Sequence, residues 1–182
     1  YKFDAASAAG VDGTIRVQYD SDISSKATIS ADLDFSKVVL SEITKFDGNC
    51  TSEIWPSATK QSDKLGQCSK ALTGNHYDPT KACGPNSEFA ETPECAPKIA
   101  TYACNPGNYT ANPAVCEKGD LSGKFGGLKL DKDKKVKMQW VDNNYPLPSE
   151  NTAQWNMILH GVCGKMTPRI ACAVGLPDRP QC

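Results

Sequence analysis

Nine cysteines and two histidines are the side chains of this sequence best suited to covalent or metal chemistry. The cysteines are Cys50, Cys68, Cys83, Cys95, Cys104, Cys116, Cys163, Cys172 and Cys182. None belongs to a C-x-x-C knuckle of the kind that builds a structural zinc site. A disulfide framework is the expected use of so many cysteines, and disulfides persist in oxidising compartments. The protein is therefore expected to be secreted or held at the cell surface. Nine is odd, so one thiol is unpaired within the chain or bonds outside it. Cys182 is expected to be that residue. Cys83, Cys95, Cys104 and Cys116 are expected to form two local bridges, with three connectivities open. His76 and His160 are the only histidines.

Other chemistries find little to build on. The chain has no Gly-rich phosphate loop and no G-x-S-x-G elbow. The close carboxylates Asp32 with Asp34 and Asp131 with Asp133 read as solvated surface groups. Lys and Arg number 20 against 21 Asp and Glu, a formal net charge of -1. Such a balance draws the protein to neither nucleic acid nor acidic lipid. The basic run 129–137 is broken by acids and reads as an exposed hairpin. No apolar run reaches transmembrane length. Asn49 and Asn108 head N-x-T sequons, each an acceptor for a glycan in a eukaryotic secretory pathway.

The elements that must position these residues are strands. Ile15, Val17 and Tyr19 alternate with Thr14, Arg16 and Gln18, the period of a half-buried strand. Ile29, Ala31, Leu33 and Phe35 repeat the pattern after a polar turn, which predicts a hairpin or meander. Residues 48–116 are rich in Gly, Pro, Asn, Ser and Thr and read as a long cysteine-rich loop, ordered by cross-links rather than burial. Strands are predicted again around Val136, Met138 and Trp140, over the apolar run 155–160, and at 169–174. No window carries a helical repeat. The predicted class is all-β, a sandwich or flattened barrel, with residues 1–182 as one domain.

Four motifs, in order, resemble the extracellular, fungal-type, copper-only branch of the copper/zinc superoxide dismutases. They are the Gly13-Thr14-Ile15 opening; Cys68 followed by Gly74-Asn75-His76-Tyr77-Asp78-Pro79; the run from Cys116-Glu117-Lys118-Gly119-Asp120 to Phe125-Gly126; and Ile158-Leu159-His160-Gly161 followed by Arg169-Ile170-Ala171-Cys172. The resemblance implies an eight-stranded Greek-key β-barrel. It makes His76 the histidine shared by copper and, in zinc-bearing members, zinc. It makes His160 the last copper histidine and Asp120 a zinc-site aspartate. Glu117 becomes the acid that supports the copper-side histidine, and Arg169 the arginine that guides superoxide. A Cys68–Cys172 disulfide is implied as well.

The departure from that pattern decides the functional expectation. The family carries a His-x-His copper pair on the strand before the long loop, and this chain has no histidine left to supply it. Local alignment sets Glu53-Ile54-Trp55 on the pair. The expectation is a non-catalytic, secreted module with a degenerate copper site, binding no metal or copper weakly, with zinc not expected. Its partner would be a protein, a glycan or a cell-surface component. The alternative is a weak copper protein or residual dismutase using His76 and His160. A structural reading also stands, in which His76 bonds to Glu117 or Asp120 and Arg169 bridges loop carbonyls.

Overall fold

The computed structural model describes residues 1–38, 50–59, 68–150 and 155–177. Among them lie eight strands: β1 (Lys2–Phe3), β2 (Asp12–Tyr19), β3 (Ala27–Asp34), β4 (Cys50–Thr59), β5 (Leu128–Lys129), β6 (Lys135–Asp142), β7 (Asn156–Cys163) and β8 (Arg169–Val174). Three short α-helices join them, α1 (Lys70–Thr73), α2 (Pro106–Ala111) and α3 (Leu121–Phe125), with 3-10 turns at Ala96–Thr101, Pro113–Val115 and Pro148–Glu150. The strands form two antiparallel four-stranded sheets, ordered β1-β2-β3-β6 and β5-β4-β7-β8.

This corrects the expected all-β, closed Greek-key barrel. The fold is mixed, with helices in the long connection and two open sheets. The barrel does not close because β1 and β5, each at one end of a sheet, are two residues long. The helices escaped a periodicity reading because none exceeds six residues, too short for an apolar repeat to register. Their signal is in the caps. Asn105 accepts from the Asn108 amide ahead of Pro106, and Asp120 accepts from the Gly123 amide at the head of α3, the usual N-terminal devices.

Period-two alternation in β2 and β3 puts Ile15, Ile29, Ala31 and Leu33 against Ile54, Leu128, Met157, Leu159 and Ala171 of the other sheet. Each large apolar side chain so buried contributes about 1.5–3 kcal/mol. Gly13 crosses β3 at φ +121°, where a Cβ would lie 2.2 Å from the Asp32 carbonyl oxygen. Only glycine fits there.

β4 lies inside the stretch expected as loop. Its sequence is polar and contains Pro56, which argues against a strand. The structure accommodates the proline because β5 pairs β4 only at Glu53 and Ile54. Beyond them Pro56 needs a partner on the β7 side alone, where it faces Leu159. Along β4, Ile54 enters the core, while Trp55, Ser57 and Thr59 lie on the outer face with Ile158 and His160 of β7.

The long connection covers that outer face. Cys68 is bonded to Cys172 of β8, 104 residues away. The loop then joins the end of β4: the Tyr77 amide donates to Ala58 O at 3.2 Å, and the Ala58 amide to Gly119 O at 2.9 Å. Gly119 permits this approach, since a Cβ would stand 2.3 Å from Ala58 O. Two local disulfides, Cys83–Cys95 and Cys104–Cys116, brace the connection. Cys163 is disulfide-bonded too. Asn49, Cys182 and the Cys50 side chain lie outside the described residues. No described helix is long and apolar enough to cross a membrane.

Candidate metal centre

His76 is held by backbone before its side chain is considered. Its amide donates to Asn86 O at 2.8 Å, its carbonyl accepts from Glu88 N at 3.0 Å, and it bridges Thr59 at the end of β4. The buried ring donates Nδ1–H to Glu117 Oε2 at 2.7 Å, leaving Nε2 for an external ligand. Glu117 is 1% exposed, and its Oε1 has no hydrogen-bond partner. Asp120 completes a cluster in which one potential ligand atom from each of the three residues lies within 4.8 Å of the others.

Asp120 is nevertheless well satisfied. Oδ1 accepts from Gly123 N at 2.8 Å and Ser122 Oγ at 3.1 Å, and Oδ2 accepts from the Tyr102 hydroxyl at 2.8 Å. The same Tyr102 oxygen accepts from the Glu117 amide, so one phenol ties both acids together. Burial and the nearby acids push the Tyr102 hydroxyl well above its ordinary range, so it stays protonated as a donor.

His160 projects from β7, where an irregularity in the pairing with β8 sets it opposite Arg169. Bulges of this kind re-aim side chains. Its Nδ1–H donates to Thr167 O at 3.0 Å, which leaves Nε2 as the lone-pair nitrogen. Ser57 Oγ lies 3.2 Å from that Nε2. Burial pushes the His160 imidazole down to about 4, so it is neutral near pH 7. His76 goes the other way: burial opposes its charge, but Glu117 and Asp120 outweigh burial and hold it above its usual value. Burial raises the Glu117 carboxyl, and the bond to His76 opposes that rise.

Arg169 is committed to the loop. It donates to Cys68 O, to the Thr73 hydroxyl and, at 2.7 Å, to Gly74 O. Burial lowers its pKa from the ordinary value. Trp55 donates to Glu53 Oε1 at 2.9 Å, and its Cα pairs with that of His160. Ser57 and Thr59, the residues that reach the two histidines, lie further along the same face and were missed by sequence reasoning. The available signal was their i, i+2 spacing on one strand face. Asn108 is exposed and donates its side-chain amide to Ala103 O at 2.8 Å. A second cluster, of Asp78 with Cys83 and Cys95, offers no thiolate because its sulfurs are bonded to each other.

The architecture is that of the superoxide dismutase fold. Superoxide dismutase 5 of Candida albicans in its Cu(II) form matches with a TM-score of 0.59 at 19% identity, over 99% of this chain and 92% of that one. Two mutant structures of the same enzyme give TM-scores of 0.58 and 0.57 at 18% and 20% identity, covering 95% and 99% of this chain and 84% and 92% of theirs. No family model matches the sequence, and no curated protein matches it.

The fold implies copper, and the residues present do not fit it. The outer face offers the imidazoles of His76 and His160, the carboxylates of Glu117 and Asp120, and the hydroxyls of Ser57 and Thr59. Carboxylates and hydroxyls are hard donors, poorly suited to cuprous copper. Ser57 moreover occupies the one nitrogen that His160 could offer.

Proposed function

We propose that this chain is a non-catalytic, superoxide dismutase-like module of residues 1–182, secreted or held at the cell surface, that binds a protein, glycan or cell-surface component through the dismutase scaffold. The observation that carries this reading is the Ser57–His160 contact, a hydroxyl against the metal-facing nitrogen of a neutral imidazole. Two imidazoles without further nitrogen donors give a metal no stable redox cycle. His76, Glu117 and Asp120 act as a buried polar brace between β4 and the long connection, and Arg169 as a clamp on residues 68–74. A superfold persists when its site is lost, because packing and site chemistry draw on different residues. The bonded cysteines of the described residues support an oxidising compartment, and Asn49 and Asn108 are its proposed glycan acceptors.

The test is elemental analysis of purified full chain after copper loading and desalting, together with a superoxide dismutation assay. The expected result is substoichiometric copper and no dismutation above that of free copper. One equivalent of retained copper with turnover would establish the residual dismutase instead.

A further inference from the structure

The open barrel leaves β6 at the end of its sheet, with β3 as its strand partner. The phase of its backbone follows from one bond just beyond the paired register. Asp34 pairs with Lys135, and the next amide, that of Phe35, donates to Lys134 O at 2.9 Å. Antiparallel strands alternate bonded and non-bonded pairs. Val136, Met138, Trp140 and Asp142 therefore turn their amides and carbonyls toward β3, and Lys135, Lys137, Gln139 and Val141 turn theirs off the edge. Asp131 takes those of Lys135: its amide donates to Lys135 O at 2.9 Å, and its Oδ1 accepts from the Lys135 amide at 2.8 Å. Among the described residues, none takes those of Lys137, Gln139 and Val141.

The side chains sort by the same register. Met138 and Trp140 lie opposite Ala31 and Ile29 on the core face, yet Met138 is 41% exposed. Lys137, Gln139 and Val141 lie on the outer face opposite Asp32, Ser30 and Thr28, with Val141 46% exposed. Sheet edges are ordinarily guarded by shortness or by free lysines. This edge strand is 8 residues long, and its lysines are drawn back over the sheet: Lys135 lies 3.4 Å from Asp34 and Lys137 3.8 Å from Asp32.

We infer that the free edge of β6 is a self-association surface, on which β6 of a second copy pairs antiparallel about a two-fold axis at Gln139. An axis there matches the outward groups of Lys137, Gln139 and Val141 wholly with one another, so both copies satisfy their edges at once. Moving the axis toward Lys137 turns the pairing onto Lys135, whose groups Asp131 holds. Moving it toward Val141 sets Lys137 beyond the end of the strand at Asp142. With the axis at Gln139, Met138 lies opposite the partner's Trp140 and Lys137 opposite the partner's Val141. The exposed apolar groups then meet each other: thioether against indole, and valine along the lysine stem. No like charges face across the pair. A strand pair of this length buries less than the roughly 1,200–2,000 Å² of a stable complex. The dimer is therefore weak, with a dissociation constant on the order of 100 µM. The surface lies on the sheet that carries neither histidine, so this inference stands apart from the metal-site reading.

The experiment is sedimentation of the full chain over a range from about 1 µM to about 1 mM, with amide hydrogen exchange at both ends of it. Wild type is expected to pass from monomer to dimer, with slower exchange at the Lys137, Gln139 and Val141 amides in the dimer. Gln139→Pro removes an outward donor at the axis and no bond to β3, and is expected to be folded and monomeric throughout. Val141→Glu sets a carboxylate against the partner's Lys137 and is expected to tighten the dimer by about tenfold, whereas Val141→Lys should loosen it by about the same factor. Gln18→Lys adds the same charge on the outer face of β2, away from the edge, and is expected to leave the dimer unchanged. A wild type that stays monomeric at every concentration overturns the inference. A dimer that persists in folded Gln139→Pro assigns the association to another surface and overturns it too. Should Gln139→Pro not fold, the opposite signs of the two Val141 variants carry the test, and equal effects of Val141→Glu and Val141→Lys overturn it.

Discussion

His76 and Glu117 form a buried hydrogen-bonded pair, Nδ1 to Oε2 at 2.7 Å, across 41 residues of sequence. Burial works against the imidazolium, and the acids beside it win. Glu117→Gln keeps the shape and removes the charge. The His76 titration midpoint, followed by NMR, is expected to fall, since burial then dominates. Stability at pH 6 is expected to fall by about 1–3 kcal/mol. An unchanged midpoint would show that Asp120 alone sets the His76 charge.

The two histidines give opposite pH dependences. His160 has its folded pKa depressed to about 4 by burial, against about 6.5 when unfolded. Its contribution is present above pH 6.5 and is lost as pH falls toward 4, because the unfolded chain then binds the extra proton. His76 is raised, so its contribution is full below pH 6.5 and is lost as pH rises through its folded value. His160→Gln should flatten the loss of melting temperature between pH 6.5 and 4 and leave the alkaline side unchanged. A wild-type slope in that variant would assign the acid loss to other groups.

A second buried charge pair anchors α3 to the end of β6. Lys124 Nζ bonds Asp142 Oδ2 at 3.0 Å, Lys118 O at 2.8 Å and Asn144 O at 3.0 Å, with both side chains fully buried. Lys124→Met alone leaves Asp142 as an uncompensated buried charge and is expected to cost about 3–5 kcal/mol. Lys124→Met with Asp142→Leu removes both charges and should recover part of that loss. Urea unfolding of the two variants measures the difference. A double variant no more stable than the single one would place the strength of the anchor in the Tyr109–Asp142 bond instead.

Legibility in the sequence followed the source of each element's stability. β2 and β3 are stabilised by apolar side chains on alternate positions, so Ile15 and Leu33 announced them. β4 is stabilised by its neighbours: Thr51, Ser52, Glu53, Ser57 and Thr59 carry no period, and Pro56 argues for a break. The pairing with β7 from Ile54 to Thr59 is a tertiary fact that no local rule supplies. His76, Glu117, Asp120 and His160 could be named because their types are rare or their motifs distinctive. Ser57 and Thr59 could not, since serine and threonine are common and only register brings them to the histidines. Tyr102 was hidden for the same reason.

Of the disulfides whose two cysteines are both among the described side chains, Cys68–Cys172 closes the longest covalent loop, its ends 104 positions apart. The connection it fastens is polar, and its order rests on short helices, caps and cross-links rather than on an apolar face. Arg169 reinforces the same junction by donating to Cys68 O and Gly74 O. In the chain-entropy account such a loop stabilises the fold by about 4–5 kcal/mol through restriction of the unfolded ensemble. At roughly 2–4 °C per kcal/mol for a chain of this size, Cys172→Ser should lower the melting temperature by on the order of 10 °C. The local Cys83–Cys95 and Cys104–Cys116 bonds span 12 residues each, so replacing either pair with serine should cost less, about 3 kcal/mol. Differential scanning fluorimetry under non-reducing conditions ranks the three. A Cys172→Ser shift smaller than that of either local pair would mean that the loop is held to β8 by Arg169 and not by the covalent bond. Adding Arg169→Lys to Cys172→Ser would then produce the missing loss.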